Sequence, residues 1–376
     1  MVLLVNVSNL RFGGGKTVAF NIIESLKSFG HNLVVVAPYN CDYEKFRDER
    51  TTVIIVKKKY NLPWFKPLLG LYLLPKLEKN HKPDFVLSLG NIAFKSQAKQ
   101  LLLIHIPYLV YPNSPVWKFL SIGRMLIMKS MLALITRNLK YANYIFVQTQ
   151  TMKIRLNRYF KTPLSDIHIL PNSISFTSVQ KITEIDLTNL ETIKLLFLSK
   201  YYPHKNFEIL IDLGKKIRDQ DLPISISVTL DKSDSKESLQ FLDRLQKENL
   251  SNIIVNLGHI EMNDVGKTYE QHNGLFLPSY LESFSGTYIE AMYFGRPIFT
   301  SDLDFAHEVC KDVAYYFDPE DATNILSVIT QAFSNKQEMQ SKIRKGYDLS
   351  LEFDSWIEIS HNLNQFINSQ TDKLEV

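Results

Sequence analysis

The chain has 376 residues, 45% hydrophobic and 22% charged, enough for two domains of ordinary size that each bury a core. Its two cysteines, Cys41 and Cys310, form no CxxC pair or ligand cluster, which argues against a disulfide framework or structural zinc and fits a reducing compartment. The net charge of +4 hides an asymmetry: residues 1–190 carry 25 Lys and Arg against 10 Asp and Glu, and residues 191–376 carry 18 against 29. A basic half suits an anionic membrane or a phosphorylated partner, and no nucleic-acid partner is expected.

Taken in chain order, Met1–Val7 has no basic leader and no small-residue cleavage site, so it reads as a first strand, not a signal peptide. Short apolar runs follow at Leu3–Val7, Leu33–Ala37, Thr52–Val56, Phe85–Leu89, Leu101–His105, Tyr144–Gln148 and Ile167–Leu170. Most are continuous, not alternating, as expected of parallel strands covered on both faces. The Gly-rich turn Arg11–Thr17 joins the first strand to a helix. It is no P-loop, because Leu10 stands where the first glycine is needed, and Val18 breaks the dinucleotide fingerprint. Lys57–Lys66 and Trp117–Lys140 interleave cations with aromatic and aliphatic groups, the composition of an interfacial membrane surface. Phe119–Ile135 is broken by Arg124 and Lys129, too short and too charged to span a bilayer; being apolar nearly all round, it suits either membrane contact or burial.

A first domain is expected over 1–172 and a polar linker over 172–192. A second strand–helix series over 193–352 places strands at Leu195–Ser199, Ile224–Thr229, Ile253–Leu257, Gly274–Pro278, Pro297–Thr300 and Ala314–Phe317. Trp356, Ile359, Leu363 and Ile367 at helical spacing predict a last helix in 353–376, able to pack back on the first domain. The fold class is therefore α/β with two doubly wound parallel sheets, and the chemistry belongs in loops at strand C-termini, in a cleft that the two domains face.

The most informative stretch is Pro278–Pro297. A strand ends, a small-residue turn Ser283–Thr287 follows, a helix runs from Thr287 to Phe294, and Gly295 stops it. Such a turn aims backbone N–H groups and the positive helix end at one point, which suits a diphosphate. Glu282 and Glu290 flank it and can accept from sugar and ribose hydroxyls. The bland reading is a capping box, Thr287-x-x-Glu290. Lys200 and Lys205 follow the Leu195 strand and can neutralise a leaving diphosphate. Gly258-His259-Ile260 ends another strand.

This stretch resembles the donor-binding Glu-x7-Glu signature of the retaining glycosyltransferases of family 4, which have the GT-B fold. Glu282, Phe284 and Glu290 are kept; Ser283 and Ser285 replace glycines, and Gly286-Thr287 stands for Leu-Pro. The resemblance implies two Rossmann-like domains, an acceptor-facing first and a donor-binding second. It implies that Glu282 contacts the donor hexose, Ser285, Gly286 and Thr287 the phosphates, and Glu290 the ribose. Ser283 and Phe284 would line the same site. Lys200, where the family usually has Arg, and Lys205 would hold the leaving group, Gly258, His259 and Ile260 would cradle the base, and Gly14 and Gly15 would let the chain approach donor phosphate and acceptor. His105 would sit near the transferred sugar. Implied too is sugar transfer from a UDP- or GDP-sugar, with retention, to a glycan or lipid-linked glycan in bacterial surface polysaccharide synthesis, O-antigen or capsule. The expected place is the cytoplasm, peripheral at the inner face of the cell membrane.

Asp302-Leu-Asp304 matches a metal-binding D-x-D, but its place before a helix favours capping. No cofactor and no metal are therefore expected. A sugar-nucleotide epimerase of the same architecture and a non-catalytic subunit of a glycosyltransferase complex remain as alternatives.

Overall fold

The computed structural model describes residues 1–173, 191–233 and 235–371. The expected linker 172–192 falls, from 174 to 190, outside the described residues.

Two compact units each carry one all-parallel sheet. The first comprises residues 1–112, 121–173 and the C-terminal segment from 354; the second comprises 113–120 and the stretch up to 353. In the first unit, β1 (Val2–Asn6), β2 (Asn32–Ala37), β3 (Thr51–Ile55), β4 (Phe85–Ser88), β5 (Lys99–Ile104), β6 (Tyr144–Val147) and β7 (Ile167–Ile169) run in the order β3-β2-β1-β4-β5-β6-β7. In the second, β8 (Ile193–Phe197), β9 (Ile224–Val228), β10 (Ile254–Asn256), β11 (Gly274–Leu277), β12 (Ile298–Ser301) and β13 (Ala314–Phe317) run in the order β10-β9-β8-β11-β12-β13. Every predicted strand is present, with ends within two residues of expectation. His105 is a small correction: it lies just past β5, not inside it.

The continuous apolar runs become strands buried on both faces; β4, β11 and β12 are buried at every position. Helices connect parallel neighbours and cover the faces. Chain order reverses between β1 and β4 in one sheet and between β8 and β11 in the other, and loops diverge at these points to leave room for a ligand.

The helix Trp356–Thr371 belongs to the first unit. Its Ile359, Leu363 and Ile367 join the same apolar core as Ile22 and Leu26 of the helix Gly13–Ser28. Three polar contacts secure it: His31 Nε2 with Asn364 Oδ1 at 2.7 Å, Lys99 Nζ donating to the Gln370 carbonyl, and the Tyr144 hydroxyl donating to Gln370 Oε1, both also at 2.7 Å. The helix Ile122–Asn138 behaves differently, burying only Ile135. Among the described residues, no helix is long and apolar enough to cross a membrane.

Candidate active site

In the second unit, the candidates lie on three loops that leave strand ends, two of them on the neighbouring strands β8 and β11. The first follows β8. Phe197 on the strand stacks on Phe207 beyond the turn, with centroids 4.3 Å apart, and Tyr201 stacks on the other side at 5.1 Å. Asn206 takes a left-handed conformation (φ 59°) and donates from Nδ2 to the Pro319 carbonyl at 2.8 Å. Asn tolerates that conformation better than most residues, so the turn closes tightly and Lys205 is fixed at its tip.

The second loop follows β11, where Ser279, Tyr280, Leu281, Glu282 and Ser283 are all buried. Lys205 Nζ donates to Glu282 Oε1 at 2.6 Å, and Ser279 Oγ donates to the same oxygen at 2.7 Å. Both charged side chains are little exposed, at 12% for Lys205 and 8% for Glu282, so the ion pair is nearly dry. The Tyr280 amide donates to the His204 carbonyl at 2.8 Å and ties the two loops together. Burial pushes the His204 imidazole down to about 4, against the opposing pull of Glu282, so the ring is neutral near pH 7.

The helix after this loop starts at Gly286, one residue earlier than expected, with Ser285 at its cap and no side chain capping it. Ser285 Oγ instead lies 2.9 Å from Thr287 Oγ1. The first turn holds no acidic residue, and a side chain built at Gly286 would meet nothing within 4 Å. The start of the helix thus carries no side-chain cap, and the helix dipole places partial positive charge there. That is the chemistry of an anion site.

Glu290 does not close a capping box. Its Oε2 lies 3.2 Å from the Tyr269 hydroxyl, which also lies 3.2 Å from the Thr287 carbonyl and shares its one proton between them. Glu290 is half-buried as a residue, and burial of its carboxyl pushes it up to about 7, only partly offset by the Tyr269 hydrogen bond. Arg296, from the Gly-Arg-Pro end of the motif, is buried and structural: its Nε donates to the Tyr269 carbonyl at 2.8 Å. One arginine thus steadies the strand of contacts that holds Tyr269 against Glu290.

The third loop follows β10. Gly258 adopts φ 79°, a conformation that favours glycine, and a side chain there would meet nothing within 4 Å. Asn256 Oδ1 accepts from the Leu230 amide at 3.0 Å and from the Gly258 amide at 3.3 Å. His259 is exposed and Ile260 half-buried. Lys200 is half-buried, and nearby Asp231 is held below the usual carboxylate range chiefly by hydrogen bonds from Ser233. The structure therefore brings Lys205, Glu282, Ser283, Phe284, Ser285, Gly286, Thr287 and Glu290 together along the loops after β8 and β11. Lys200 stands in the same loop after β8, and Gly258, His259 and Ile260 follow β10, two strands away from β8.

The remaining candidates lie in the first unit. Gly14 and Gly15 occupy the first turn of the helix Gly13–Ser28, entered through Gly13 at φ 67°, and no side chain caps it. His105 follows β5; its ring Nε2 lies 2.9 Å from the Leu89 carbonyl and so carries the proton. Burial pushes this imidazole down to about 4, against the pull of its hydrogen bonds to Leu89 and Gln148, leaving it neutral near pH 7. Asn9 Nδ2 donates to the Gly90 carbonyl, and Asn91 Oδ1 accepts from the His105 amide at 2.6 Å, so the loops after β1, β4 and β5 form one connected rim.

Reading the sequence missed several participants. Tyr269 sits in a segment with no motif, and His204, inside the Lys200–Lys205 loop, was passed over between the two lysines. The segment Asn113–Leu120 is a further surprise, because it packs within the second unit: Val116 is fully buried, and Phe119 stacks on Tyr280 at 5.4 Å with the rings nearly parallel. The D-x-D carboxylates have local partners: Asp302 Oδ1 lies 2.6 Å from His307 Nε2, and Asp304 Oδ1 accepts from the Phe305 amide at 3.0 Å. The expected capping is corrected: Leu303 stands at the cap of the helix Asp304–Cys310 with no side-chain bond, and Asp304 is its first residue.

Comparison with known proteins gives this geometry a lineage. Residues 12–177 match the family model described as Glycosyltransferase Family 4, and residues 178–348 the model described as Glycosyl transferases group 1. The O-antigen chain mannosyltransferase RfbU of Salmonella typhimurium is 23% identical over 197 residues; the match spans about half of each protein, 52% of this chain and 52% of RfbU. Among solved structures, sucrose-phosphate synthase of Thermosynechococcus elongatus superposes with TM-score 0.76 at 14% identity, covering 99% of this chain and 100% of that one. WaaG, a glycosyltransferase involved in lipopolysaccharide biosynthesis, gives 0.73 at 13%, covering 98% and 99%. HepE of Anabaena, in complex with UDP and glucose, gives 0.72 at 14%, covering 98% and 100%. At such identities the structural likeness is one of fold, while the two family models together run from residue 12 to 348. The chain belongs to the group 1 glycosyltransferases of family 4 and has the GT-B fold.

Proposed function

We propose that the protein transfers a hexose-type sugar from a UDP- or GDP-sugar to a glycan acceptor, with retention at the anomeric carbon. The observation that carries this reading is the uncapped start of the helix Gly286–Tyr293, flanked by Glu282 and Glu290 and approached by Lys205. A donor diphosphate placed there accepts hydrogen bonds from the 285–287 amides, and Lys205 turns toward the developing charge as the sugar–phosphate bond breaks. Glu282 and Glu290 accept from hydroxyls of the sugar and the ribose. A leaving phosphate oxygen takes the acceptor proton on the same face, so no protein nucleophile is needed. The lysines supply the positive charge, and transfer is proposed to proceed without a divalent ion.

A mannosyltransferase of O-antigen chains and a lipopolysaccharide glycosyltransferase among the relatives support a role in bacterial surface polysaccharide synthesis. The proposed acceptor is lipid-linked, and the proposed working place is the inner face of the cell membrane. A screen of UDP- and GDP-sugars for thermal shift, followed by slow donor hydrolysis, tests the reading. One nucleotide series is expected to stabilise the protein and to be hydrolysed, with EDTA leaving the rate unchanged. Loss of activity in EDTA with recovery in manganese would overturn the metal-free part. Conversion of a donor to its epimer without any acceptor would replace transfer by epimerisation.

A further inference from the structure

We propose that Ser279 is a positioning residue that aims the Glu282 carboxylate at the transferred sugar; this rests on the transferase reading above and deepens its donor side. Ser279 is fully buried just past the end of β11, and its hydroxyl donates to Glu282 Oε1 at 2.7 Å. Lys205 Nζ reaches the same oxygen at 2.6 Å. Both bonds fall on Oε1, so Oε2 is the oxygen left to accept from a sugar hydroxyl. The strand end that carries Ser279 is fixed in turn. Thr300 Oγ1 on β12 donates to the Leu277 carbonyl at 3.0 Å, and the Tyr288 hydroxyl, 2.7 Å from Thr300 Oγ1, donates to it. On the other side of Ser279, the Tyr280 amide is bonded to the His204 carbonyl. A long lysine holds its place at a large entropic cost, whereas a buried serine is set by one torsion.

The hydroxyl matters most once a donor is bound. In the free protein Lys205 balances Glu282 directly. In the proposed reaction Lys205 turns toward the diphosphate, and the carboxylate is then left charged in a nearly dry site. Ser279, neutral and held by its surroundings, keeps a charge-assisted bond on Oε1 through that exchange. Glu282 therefore neither follows Lys205 nor swings away from the sugar. With a nucleoside diphosphate, which has no sugar to meet, Glu282 can stay beside Lys205 whatever Ser279 does. Dependence on Ser279 is thus dependence on the hexose, and a residue that merely filled space would not make that distinction.

The test is isothermal titration of wild type, Ser279→Ala and Ser279→Cys with the UDP- or GDP-sugar that shifts the wild-type melting temperature most, and with the matching UDP or GDP. Ser279→Ala should bind the nucleotide sugar about tenfold more weakly, the loss of one hydrogen bond to a charged group, and hydrolyse it more slowly, with affinity for the nucleoside diphosphate unchanged. Ser279→Cys, which fills nearly the same space with a weak donor, should show the same split and answers the question if the alanine variant does not fold. In a Glu282→Ala background, Ser279→Ala should make no further difference. Parallel loss of both ligands would make Ser279 a structural residue only and overturn the proposal. Unaltered nucleotide-sugar affinity, or full additivity with Glu282→Ala, would overturn it too, and with wild type still binding both ligands the transferase reading would stand. Wild type that binds neither ligand would remove that reading and the proposal with it.

Discussion

Glu290 and Lys205 show most clearly how burial sets chemistry at single residues. The Glu290 carboxyl, pushed up to about 7, holds a proton in the folded chain that the unfolded chain, near 4.5, has already released. The sign follows: its contribution to stability is largest below about pH 4.5, declines as pH rises to about 7, and is flat above. The amplitude is up to about 3 kcal/mol. Glu290→Gln should remove that slope, read as the melting temperature across pH 4.5 to 8; an unchanged slope would place the titration elsewhere. Donor affinity should rise with pH through the same range in wild type, since the ionised carboxylate is the better acceptor for ribose hydroxyls, and should be flat in the variant. For Lys205, removal of one member of a nearly dry pair leaves the other charged and unpaired. Lys205→Met should cost about 3 kcal/mol and Lys205→Met/Glu282→Gln markedly less, measured as melting temperatures of both variants. Equal losses would mean that water already solvates the pair.

Elements are where sequence was most and least informative. The strands were legible because parallel strands buried on both faces need unbroken apolar runs, and turn residues mark their ends. The turn into the helix Gly286–Tyr293 was legible because Glu282, Glu290 and the small residues between them lie in one short stretch. The Lys205–Glu282 pair was not, since it joins loops from two different strands. Nor was the fate of Ile122–Asn138, because a pattern apolar all round cannot tell a buried helix from a membrane-facing one. The segment Asn113–Leu120 carries no signal of the unit it joins, yet Phe119 backs Tyr280, and Tyr280 links the loops after β8 and β11. Loss of such a stack is worth ~0.5–1.5 kcal/mol. Phe119→Ala is therefore expected to lower the melting temperature by roughly 2–4 °C and to weaken nucleotide-sugar binding, and Phe119→Tyr to restore both. Isothermal titration decides, and unaltered affinity in the alanine variant would show that the segment does not support the site.

At the scale of the whole molecule, the chain closes on itself. The last helix completes the core of the unit that contains the first strand, so the C-terminal segment is a structural part of that unit. Leu363, 2% exposed, should cost about 2–5 kcal/mol when cut to Ala. The measured melting of the first unit should fall accordingly while nucleotide binding to the second unit persists. The two halves also differ in charge, the first basic and the second acidic. The most direct measurement is a crystal structure of the protein with the nucleotide diphosphate that gives the largest thermal shift. The pyrophosphate should lie within hydrogen-bonding distance of the 285–287 amides and of Lys205, with the ribose against Glu290. A nucleotide bound elsewhere, with the start of the Gly286–Tyr293 helix left to solvent, would contradict the account.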